Sequence, residues 1–285
     1  MVKLAVRKLP GAVGCEIEGL ELRWLDDDSF STIELALHEH LVVIIPGQSI
    51  GPKSFAAMAA RFGRAEPHVI DQFHHKSDSN ILILSNRKDE KGEPVGLADG
   101  GTYFHTDYSY LDVPARCTLL FAQEIPPGES GTTFANQRLA YEDLPDATKE
   151  RIDDLVCRHH YGNRDNLDET SRTAASKLSA DQKQKMNWVR HPLVRKHPHT
   201  GRKSLYAVSG SSFGIEGMGD NEGLALLDDL KQHSTAGKYC YTPKYRPGDV
   251  IIWDNCSLLH SAPLIDASQP RTLWRITVKE QGPTL

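Results

Sequence analysis

The residues of this chain with the clearest chemical potential are His105 and Asp107, separated by one residue, and His260 far downstream. Residues i and i+2 of an extended strand point to the same side, so His105 and Asp107 are predicted to face one site. Two imidazoles and one carboxylate make the facial triad that holds non-haem Fe(II) and leaves coordination positions open. Open positions can admit a co-substrate and dioxygen, so the pattern predicts an oxygenase.

The neighbourhood of the triad decides between this prediction and a chance arrangement. With 13 histidines in the chain, a lone His-x-Asp is often a turn capped by an aspartate. A lone histidine after a hydrophobic strand, as His260 follows Val250-Ile251-Ile252-Trp253, is more often structural. Gly100 and Gly101, however, permit close backbone approach just before His105. Aromatic side chains surround the same segment: Tyr103, Phe104, Tyr108 and Tyr110. The combination favours a metal site.

Two arginines near the end of the chain strengthen the prediction. Arg271 lies at the start of the final predicted strand and Arg275 lies four residues later, so both are expected on one side of it. A buried guanidinium is costly unless an anion pairs with it. A planar guanidinium can hold a carboxylate through two hydrogen bonds. The pair therefore predicts a dicarboxylate co-substrate beside the metal, and surface arginines on an edge strand are the alternative.

The bulk properties of the chain narrow the classes of partner. Its 285 residues are 39% hydrophobic and 25% charged, which fits one β-rich enzyme domain over 1–285. A net charge of −5 argues against nucleic acid or an anionic membrane as a partner. No apolar run is long enough to cross a bilayer. Five scattered cysteines without a Cys-x-x-Cys pair indicate reduced thiols in a cytoplasmic protein.

Hydrophobic patterns and Pro/Gly punctuation place strands throughout the chain, with helices concentrated early. Helices are predicted at about 31–40, 52–62, 139–158 and 221–233. Strands are predicted at 14–20, 41–45, 81–84, 117–123, 132–135, 193–197, 204–208, 239–241, 250–253 and 273–278. Residues 163–187 are polar and lack periodicity, so they are predicted to form a lid loop over the site. The pattern indicates an α+β protein, mainly β, built on a sandwich or barrel.

Beyond these general features, the chain resembles a known enzyme family. The set His105-x-Asp107, Trp253-Asp254-Asn255, His260 and Arg271 is similar to the taurine dioxygenase and 2,4-dichlorophenoxyacetate dioxygenase (TauD/TfdA) family. The likeness runs over nearly the whole chain. It implies a double-stranded β-helix, a cupin-like jelly-roll barrel with flanking helices. It also implies Fe(II) as cofactor, with α-ketoglutarate and O2 as co-substrates.

The resemblance assigns roles to residues by position. His105, Asp107 and His260 resemble the iron ligands. Arg271 resembles the residue that pairs with the distal carboxylate of α-ketoglutarate, and Thr133 resembles the hydroxyl that assists it. The implied reaction hydroxylates a substrate and releases succinate and CO2. The aspartate at position 107 argues against a halogenase, because that chemistry needs a small residue there.

The substrate side of the site is predicted from fewer signals. Six residues are expected to form the substrate pocket: His68, Asp71, Gly101, Tyr108, Tyr110 and Arg275. His68 and Arg275 match the positions that bind the sulfonate in the taurine enzyme, so an anionic substrate is expected. Gly101 and Asp71 depart from that enzyme, which makes taurine itself a poor candidate. A sulfonate, a phenoxyalkanoate or an amino-acid-like carboxylate, whose amine Asp71 would pair, is predicted instead.

Two alternatives from other functional classes stay open at this point. A cupin-like hydrolase or isomerase would use the metal without α-ketoglutarate or oxygen and would give Arg271 no role. A catalytically silent barrel would only bind a ligand, although the intact triad counts against it. The same residues would serve hydroxylation, with or without spontaneous cleavage of the product, and desaturation. By analogy with the family, the chain is expected to form a homodimer or homotetramer.

Overall fold

The structure, a computed structural model, describes residues 4–98, 100–128, 131–162, 178–263, 266 and 268–280. Its α-helices are α1 Asp27–His40, α2 Pro52–Phe62, α3 Gln137–Glu142, α4 Asp146–Ile152, α5 Ala180–Gln184 and α6 Asp220–Ser234. Its strands are β1 Ala5–Lys8, β2 Cys15–Glu18, β3 Val42–Ile45, β4 His74–His75, β5 Asp78–Ser85, β6 Ala115–Glu124, β7 Thr133–Asn136, β8 Val156–His159, β9 Val189–Pro192, β10 Val194–Lys196, β11 Lys203–Leu205, β12 Ser212–Ile215, β13 Cys240–Tyr241, β14 Val250–Asp254, β15 Leu258–Ser261 and β16 Thr272–Lys279.

The two early helices begin and end where local chemistry dictates. The side chain of Asp26 accepts the backbone N–H of Ser29 and caps the start of α1. Leu41, which follows the last residue of α1, lies in the left-handed region (φ 65°) and ends the helix. Proline occupies the first turn of α2 and Gly63 follows its last residue. The bounds of α2 confirm the prediction from sequence, and α1 begins four residues earlier than predicted because its cap precedes the apolar pattern.

A large mixed sheet forms the backbone of the fold. Its eight strands run in the order β1-β2-β3-β14-β6-β16-β5-β4. Along the central strand β6, Leu119 and Phe121 belong to the apolar cluster that includes α1 and α2. The alternate residues Leu120 and Ala122 belong to a second cluster on the other face. The period of two therefore buries both faces of the sheet, one under helices and one under further strands.

The smaller sheet that packs on the second face carries part of the site. It runs β13-β7-β15, and Phe134 of β7 and Leu258 of β15 join the cluster beneath the large sheet. Two packed sheets with helices outside make an α+β protein that is mainly β. The described strands form separate sheets rather than one closed barrel, because backbone pairing is interrupted between the two faces.

One predicted segment differs in the structure, and another lies partly outside the described residues. The single helix predicted at 139–158 was wrong, since the chain forms α3, α4 and the strand β8 there. Pro145 precedes α4 as its N-cap and separates the two helices. In the predicted lid, 163–177 lie outside the described residues, while 178–187 include the short helix α5.

Among the described helices, none combines the length and apolarity that a membrane span requires.

Candidate active site

The three residues of the predicted triad come together from two distant parts of the chain. His105 forms an isolated antiparallel bridge with His260, with both backbone N–H···O distances at 2.9 Å. His260 lies in β15, and Asp107 follows His105 in a tight turn. The expectation that His105 and Asp107 share a regular strand was therefore wrong. Tyr108, directly after Asp107, adopts a left-handed conformation (φ 54°) that turns the chain.

The side chains of the triad point at one another. His105 Nε2 lies 3.7 Å from Asp107 Oδ1, and His260 Nε2 lies 3.7 Å from Asp107 Oδ2. All three donor atoms lie within 4.8 Å of one another. Two donors bound to one ion at about 2.1 Å can be no more than about 4.2 Å apart, so the two separations of 3.7 Å suit a shared metal. The carboxylate is 4% exposed and His105 is 15% exposed, which leaves the site open on one side.

His105 is held in the orientation and tautomer that a metal ligand needs. Its Nδ1 lies 2.8 Å from the backbone carbonyl of Tyr103. Because a carbonyl only accepts, Nδ1 carries the proton and Nε2 keeps a free lone pair. Gly101 packs against the same ring: a Cβ at position 101 would lie 2.5 Å from His105 Cε1. Position 101 must therefore be a glycine, because any side chain there would collide with the imidazole of His105.

The charges around Asp107 keep it an anion. Burial alone would raise the pKa of its carboxyl, but Arg275 and the two histidines outweigh burial and hold the pKa well below the ordinary value. Burial, together with His105 and Arg275, lowers the pKa of His260 to about 3. A neutral imidazole and a carboxylate anion are the protonation states in which His260 and Asp107 bind a divalent cation.

The triad fits a metal better than the one other group of possible ligands among the described residues. His197, Asp254 and Cys256 also lie together and are buried. There, however, His197 Nδ1 accepts the backbone N–H groups of His199 and Thr200, and its Nε2 donates to Asp254 Oδ2 over 2.7 Å. Both nitrogens are occupied, so this group is a hydrogen-bonded anchor of the β14–β15 turn.

A largely apolar pocket that contains Arg271 adjoins the triad. We call it the arginine pocket; it is lined by Leu84, Leu120, Thr132, Trp253, His260 and Arg271. The guanidinium of Arg271 is buried, and its Nε has no hydrogen-bond partner among the described residues. Burial lowers the pKa of Arg271, and the phenol of Tyr245 opposes the shift. The pocket thus presents a buried cation with no carboxylate among the described residues to pair with it.

A second pocket also borders His105. We call it the tyrosine pocket; its walls include His68, Tyr103, Tyr108, Tyr110, Tyr161 and Arg275. Tyr110 makes edge-to-face contacts with Tyr108 (centroids 5.9 Å) and with Tyr161 (4.9 Å). His68 Nδ1 accepts the N–H of Ile70, and burial with the charge of Arg275 holds its pKa well below the ordinary value. Arg275 lines both pockets.

Two of the predicted site residues lie elsewhere. The hydroxyl of Thr133 lies 2.8 Å from that of Thr242, and its neighbour Thr132 lines the arginine pocket instead. Successive residues at a strand start face opposite sides, so Thr132 is the threonine that the structure places in the arginine pocket. Asp71 is exposed and accepts the side-chain N–H of Gln182, so it does not reach the tyrosine pocket. The predicted pairing of Asp71 with a substrate amine therefore has no support.

Sequence reasoning also missed residues that the structure brings to the site. Tyr161 lines the tyrosine pocket from beyond β8; its position just before the predicted lid indicates the entrance of the site but assigns it no role. Thr118 lies within the buried strand β6 and donates to Asp107 Oδ2 over 2.6 Å. A polar residue amid the apolar run Cys117-Thr118-Leu119-Leu120 was a signal, since a buried hydroxyl needs a partner.

Together, the packed sheets, the facing imidazoles and the carboxylate form a site that could hold one metal ion, and comparison with known proteins specifies the class. The model of the "Taurine catabolism dioxygenase TauD, TfdA family" matches residues 5–277. An (S)-phenoxypropionate/α-ketoglutarate-dioxygenase of Sphingobium herbicidovorans is 28% identical over 94% of this chain and 92% of its own. An alkylsulfatase of Acinetobacter baylyi is 30% identical over 97% of this chain and 85% of its own.

A solved structure shows the same fold. The structure of AAD-2 with Mn(II) and N-oxalylglycine is 31% identical, covers 100% of both chains and has a TM-score of 0.80. The chain belongs to the TauD/TfdA family. It is an α-ketoglutarate-dependent dioxygenase; proteins of the family have a jelly-roll fold and use Fe(II), α-ketoglutarate and O2.

Proposed function

We propose that this enzyme hydroxylates a small aromatic organic acid of the phenoxyalkanoate type, as a single domain over 1–285. In this proposal His105, Asp107 and His260 hold Fe(II), and Arg271 with Thr132 holds the distal carboxylate of α-ketoglutarate. Iron, α-ketoglutarate and O2 supply the oxidising power that converts a substrate C–H bond to C–OH as succinate and CO2 are released. The remaining work, which is to bind, orient and exclude water, belongs to the side chains of the two pockets.

The observation that carries the proposal is the state of Arg271. Its guanidinium is buried in an apolar pocket that also contains His260, and its Nε has no partner among the described residues. A buried cation without an anion is costly, so an anion bound beside Arg271 would stabilise the arrangement. A dicarboxylate can reach from the metal triad to Arg271 and supply that anion. The AAD-2 structure, which holds N-oxalylglycine, gives a related precedent.

The tyrosine pocket supports an aromatic acid as the substrate. Arg275 and the neutral imidazole of His68 supply a cation and a polar partner at one end. Tyr108, Tyr110 and Tyr161 form a series of edge-to-face contacts along the wall, and rings pack favourably against such walls. An aryl ether acid has a carboxylate that would pair with Arg275 and a ring that would pack against the tyrosines. One relative is named as a phenoxypropionate dioxygenase, which agrees with such a substrate.

The geometry orients the reaction at the carbon nearest the anionic head. Arg275 Nη1 lies 3.6 Å from Asp107 Oδ1, so an acid bound to Arg275 is held beside the triad. In a phenoxyalkanoate that carbon also carries the ether oxygen. Hydroxylation there gives a hemiacetal or hemiketal, which breaks down to a phenol and an oxo acid.

The test is a panel of acids offered to the purified enzyme with Fe(II), α-ketoglutarate and O2. Phenoxyacetate, phenoxypropionate, an alkyl sulfate and taurine are compared by succinate release, and phenol is measured by its colour reaction. We expect phenoxyalkanoates to give succinate and phenol in equal amounts. Succinate coupled to the alkyl sulfate alone would overturn the aromatic assignment and keep the oxidative class. Turnover without α-ketoglutarate and O2 would favour a cupin-like hydrolase.

A further inference from the structure

Behind the triad, three buried side chains form a continuous line of hydrogen bonds that ends on Asp107. Trp253 Nε1 lies 3.1 Å from Asn255 Oδ1, and Asn255 Nδ2 lies 2.9 Å from Thr118 Oγ1. Thr118 Oγ1 lies 2.6 Å from Asp107 Oδ2. Each of these side chains is almost fully buried. We call Thr118, Asn255 and Trp253 the carboxylate relay.

The chemistry of the groups fixes the direction of every bond. An indole N–H only donates, so Asn255 must present its carbonyl oxygen to Trp253 and its amide nitrogen to Thr118. Thr118 accepts that amide, and its single proton goes to the carboxylate of Asp107, which only accepts. Thr277 Oγ1, 3.3 Å from Thr118 Oγ1, can fill the remaining lone pair. The threonine hydroxyl is thereby saturated and has one orientation.

The relay also explains a sequence motif that the triad does not use. Within Trp253-Asp254-Asn255, the aspartate accepts the backbone N–H groups of Cys256 and Ser257 and so shapes the turn between β14 and β15. Trp253 packs its ring 4.8 Å from that of His260. Asn255, which lies in this turn, donates to Thr118 of β6, and Thr118 donates to Asp107. The motif therefore contacts His260 directly and reaches Asp107 through Thr118.

We infer that Thr118 and Asn255 are positioning residues that set the rotation of the Asp107 carboxylate before a metal binds. The bond to Oδ2 is short and charge-assisted, so it resists rotation of the carboxylate. Among the described residues, the charged groups beside Asp107 are the two histidines and Arg275, and their separations of 3.6–3.7 Å are too long for close hydrogen bonds. The inference rests on the proposed assignment of Asp107 as a metal ligand.

The test compares two substitutions at one position. Thr118→Val removes the hydroxyl and keeps the branched shape, while Thr118→Ser keeps the hydroxyl. Anaerobic calorimetry with Fe(II) is expected to show affinity about 10- to 100-fold lower for Thr118→Val, the range for lost partners of metal ligands. Thr118→Ser is expected to bind within about threefold of the parent. Thr235→Val, which removes a hydroxyl bound to the Lys231 carbonyl, is the control and should not change affinity.

A second readout separates positioning from general destabilisation. The visible spectrum of the Co(II)-loaded protein reports the ligand field, so it should shift in Thr118→Val and not in Thr118→Ser. Asn255→Ala should weaken Fe(II) binding in the parent and add nothing in the Thr118→Val background, because the relay is already cut. Asn255→Ala also carries the test alone if Thr118→Val does not fold.

The outcomes distinguish this inference from the proposed function. If the parent binds Fe(II) and Asp107→Ala does not, the ligand assignment holds. Equal affinity and identical Co(II) spectra for Thr118→Val and the parent would then overturn the relay alone, as would additive effects of the two substitutions. If Asp107→Ala binds Fe(II) as tightly as the parent, the ligand assignment itself fails.

Discussion

The guanidinium of Arg275 lies 3.6 Å from the carboxylate of Asp107, measured from Nη1 to Oδ1, with both side chains largely buried. This distance is too long for a direct hydrogen bond between the two groups. Arg275 also lines both pockets. Its charge lowers the pKa of Asp107, and Asp107 with Tyr108 and Tyr110 raises the pKa of Arg275 against the effect of burial. Arg275 therefore keeps the carboxyl of Asp107 ionised and can also bind the carboxylate of a substrate in the tyrosine pocket.

Replacing the two arginines is predicted to separate the two anions of the reaction. Arg275→Gln should raise the KM of the organic acid, and Arg271→Gln should raise the KM of α-ketoglutarate. Hydrogen bonds to charged groups contribute about 1.5–3 kcal/mol, which corresponds to about 10- to 100-fold in each case. Steady-state kinetics with each substrate varied in turn gives both constants. If either variant raised both constants equally, the division of labour between the pockets would be wrong.

Gly101 is predicted to be required by His105 rather than by the substrate. An alanine Cβ at position 101 would lie 2.5 Å from the imidazole, whereas at Gly47 it would meet open space. The two glycines share a left-handed backbone (φ +75° and +69°), so both substitutions cost about 1–2 kcal/mol of stability. Only Gly101→Ala should lower Fe(II) affinity, by about tenfold or more. Calorimetry of the matched pair checks this, and equal affinities would remove the steric argument.

Tyr110 is predicted to select aromatic substrates. It contacts both Tyr108 and Tyr161, and aromatic pairs contribute about 0.5–1.5 kcal/mol beyond burial. Tyr110→Leu should lower kcat/KM for a phenoxyalkanoate by about 2- to 10-fold and leave an aliphatic acid nearly unchanged. Tyr110→Phe keeps the ring and should preserve the preference. Competition between the two acids, followed by product analysis, measures the ratio directly. A parallel loss for both acids would indicate a structural role for Tyr110 instead.

Sequence reasoning succeeded where the determining interactions are local and failed where they are not. The bounds of α2 follow from Pro52 and Gly63, which act within one turn of the chain. The shared orientation of His105 and Asp107 was predicted from the wrong geometry. The left-handed conformation of Tyr108 sets the turn, and a positive φ at a tyrosine cannot be predicted from the residue type. Tyr161 and the partner of Thr118 depend on packing between distant segments, which no local pattern encodes.

Acid stability is predicted to depend on His191, which lies away from the metal site. Burial, with the charge of Arg195, lowers its pKa to about 4, and its Nε2 donates to the carbonyl of Leu111. The unfolded chain binds the proton first, near pH 6.5, so protonation favours unfolding. The stability advantage of the neutral histidine is therefore present above pH 6.5 and is lost as the pH falls toward 4. The expected slope is about 1.4 kcal/mol per pH unit.

Denaturant unfolding of the parent and of His191→Asn between pH 8 and 4.5 measures this contribution. The difference in unfolding free energy between the two proteins should be constant above pH 6.5 and should shift in favour of the variant below it. Taking the difference cancels the other titrating groups that both proteins share. A difference that stays constant across the whole range would show that His191 titrates alike in both states.

The one-position shift between Thr133 and Thr132 gives a test of the site itself. Thr132 lines the arginine pocket with Arg271, whereas Thr133 lies beside Thr242 on the other side of the strand. Thr132→Val should therefore raise the KM of α-ketoglutarate by about tenfold, the lower end for a hydrogen bond to a charged group. Thr133→Val should leave that KM unchanged, because its hydroxyl faces away from the pocket. The reverse result would place the hydroxyl that assists Arg271 at position 133 and would require β7 to be rotated by one residue.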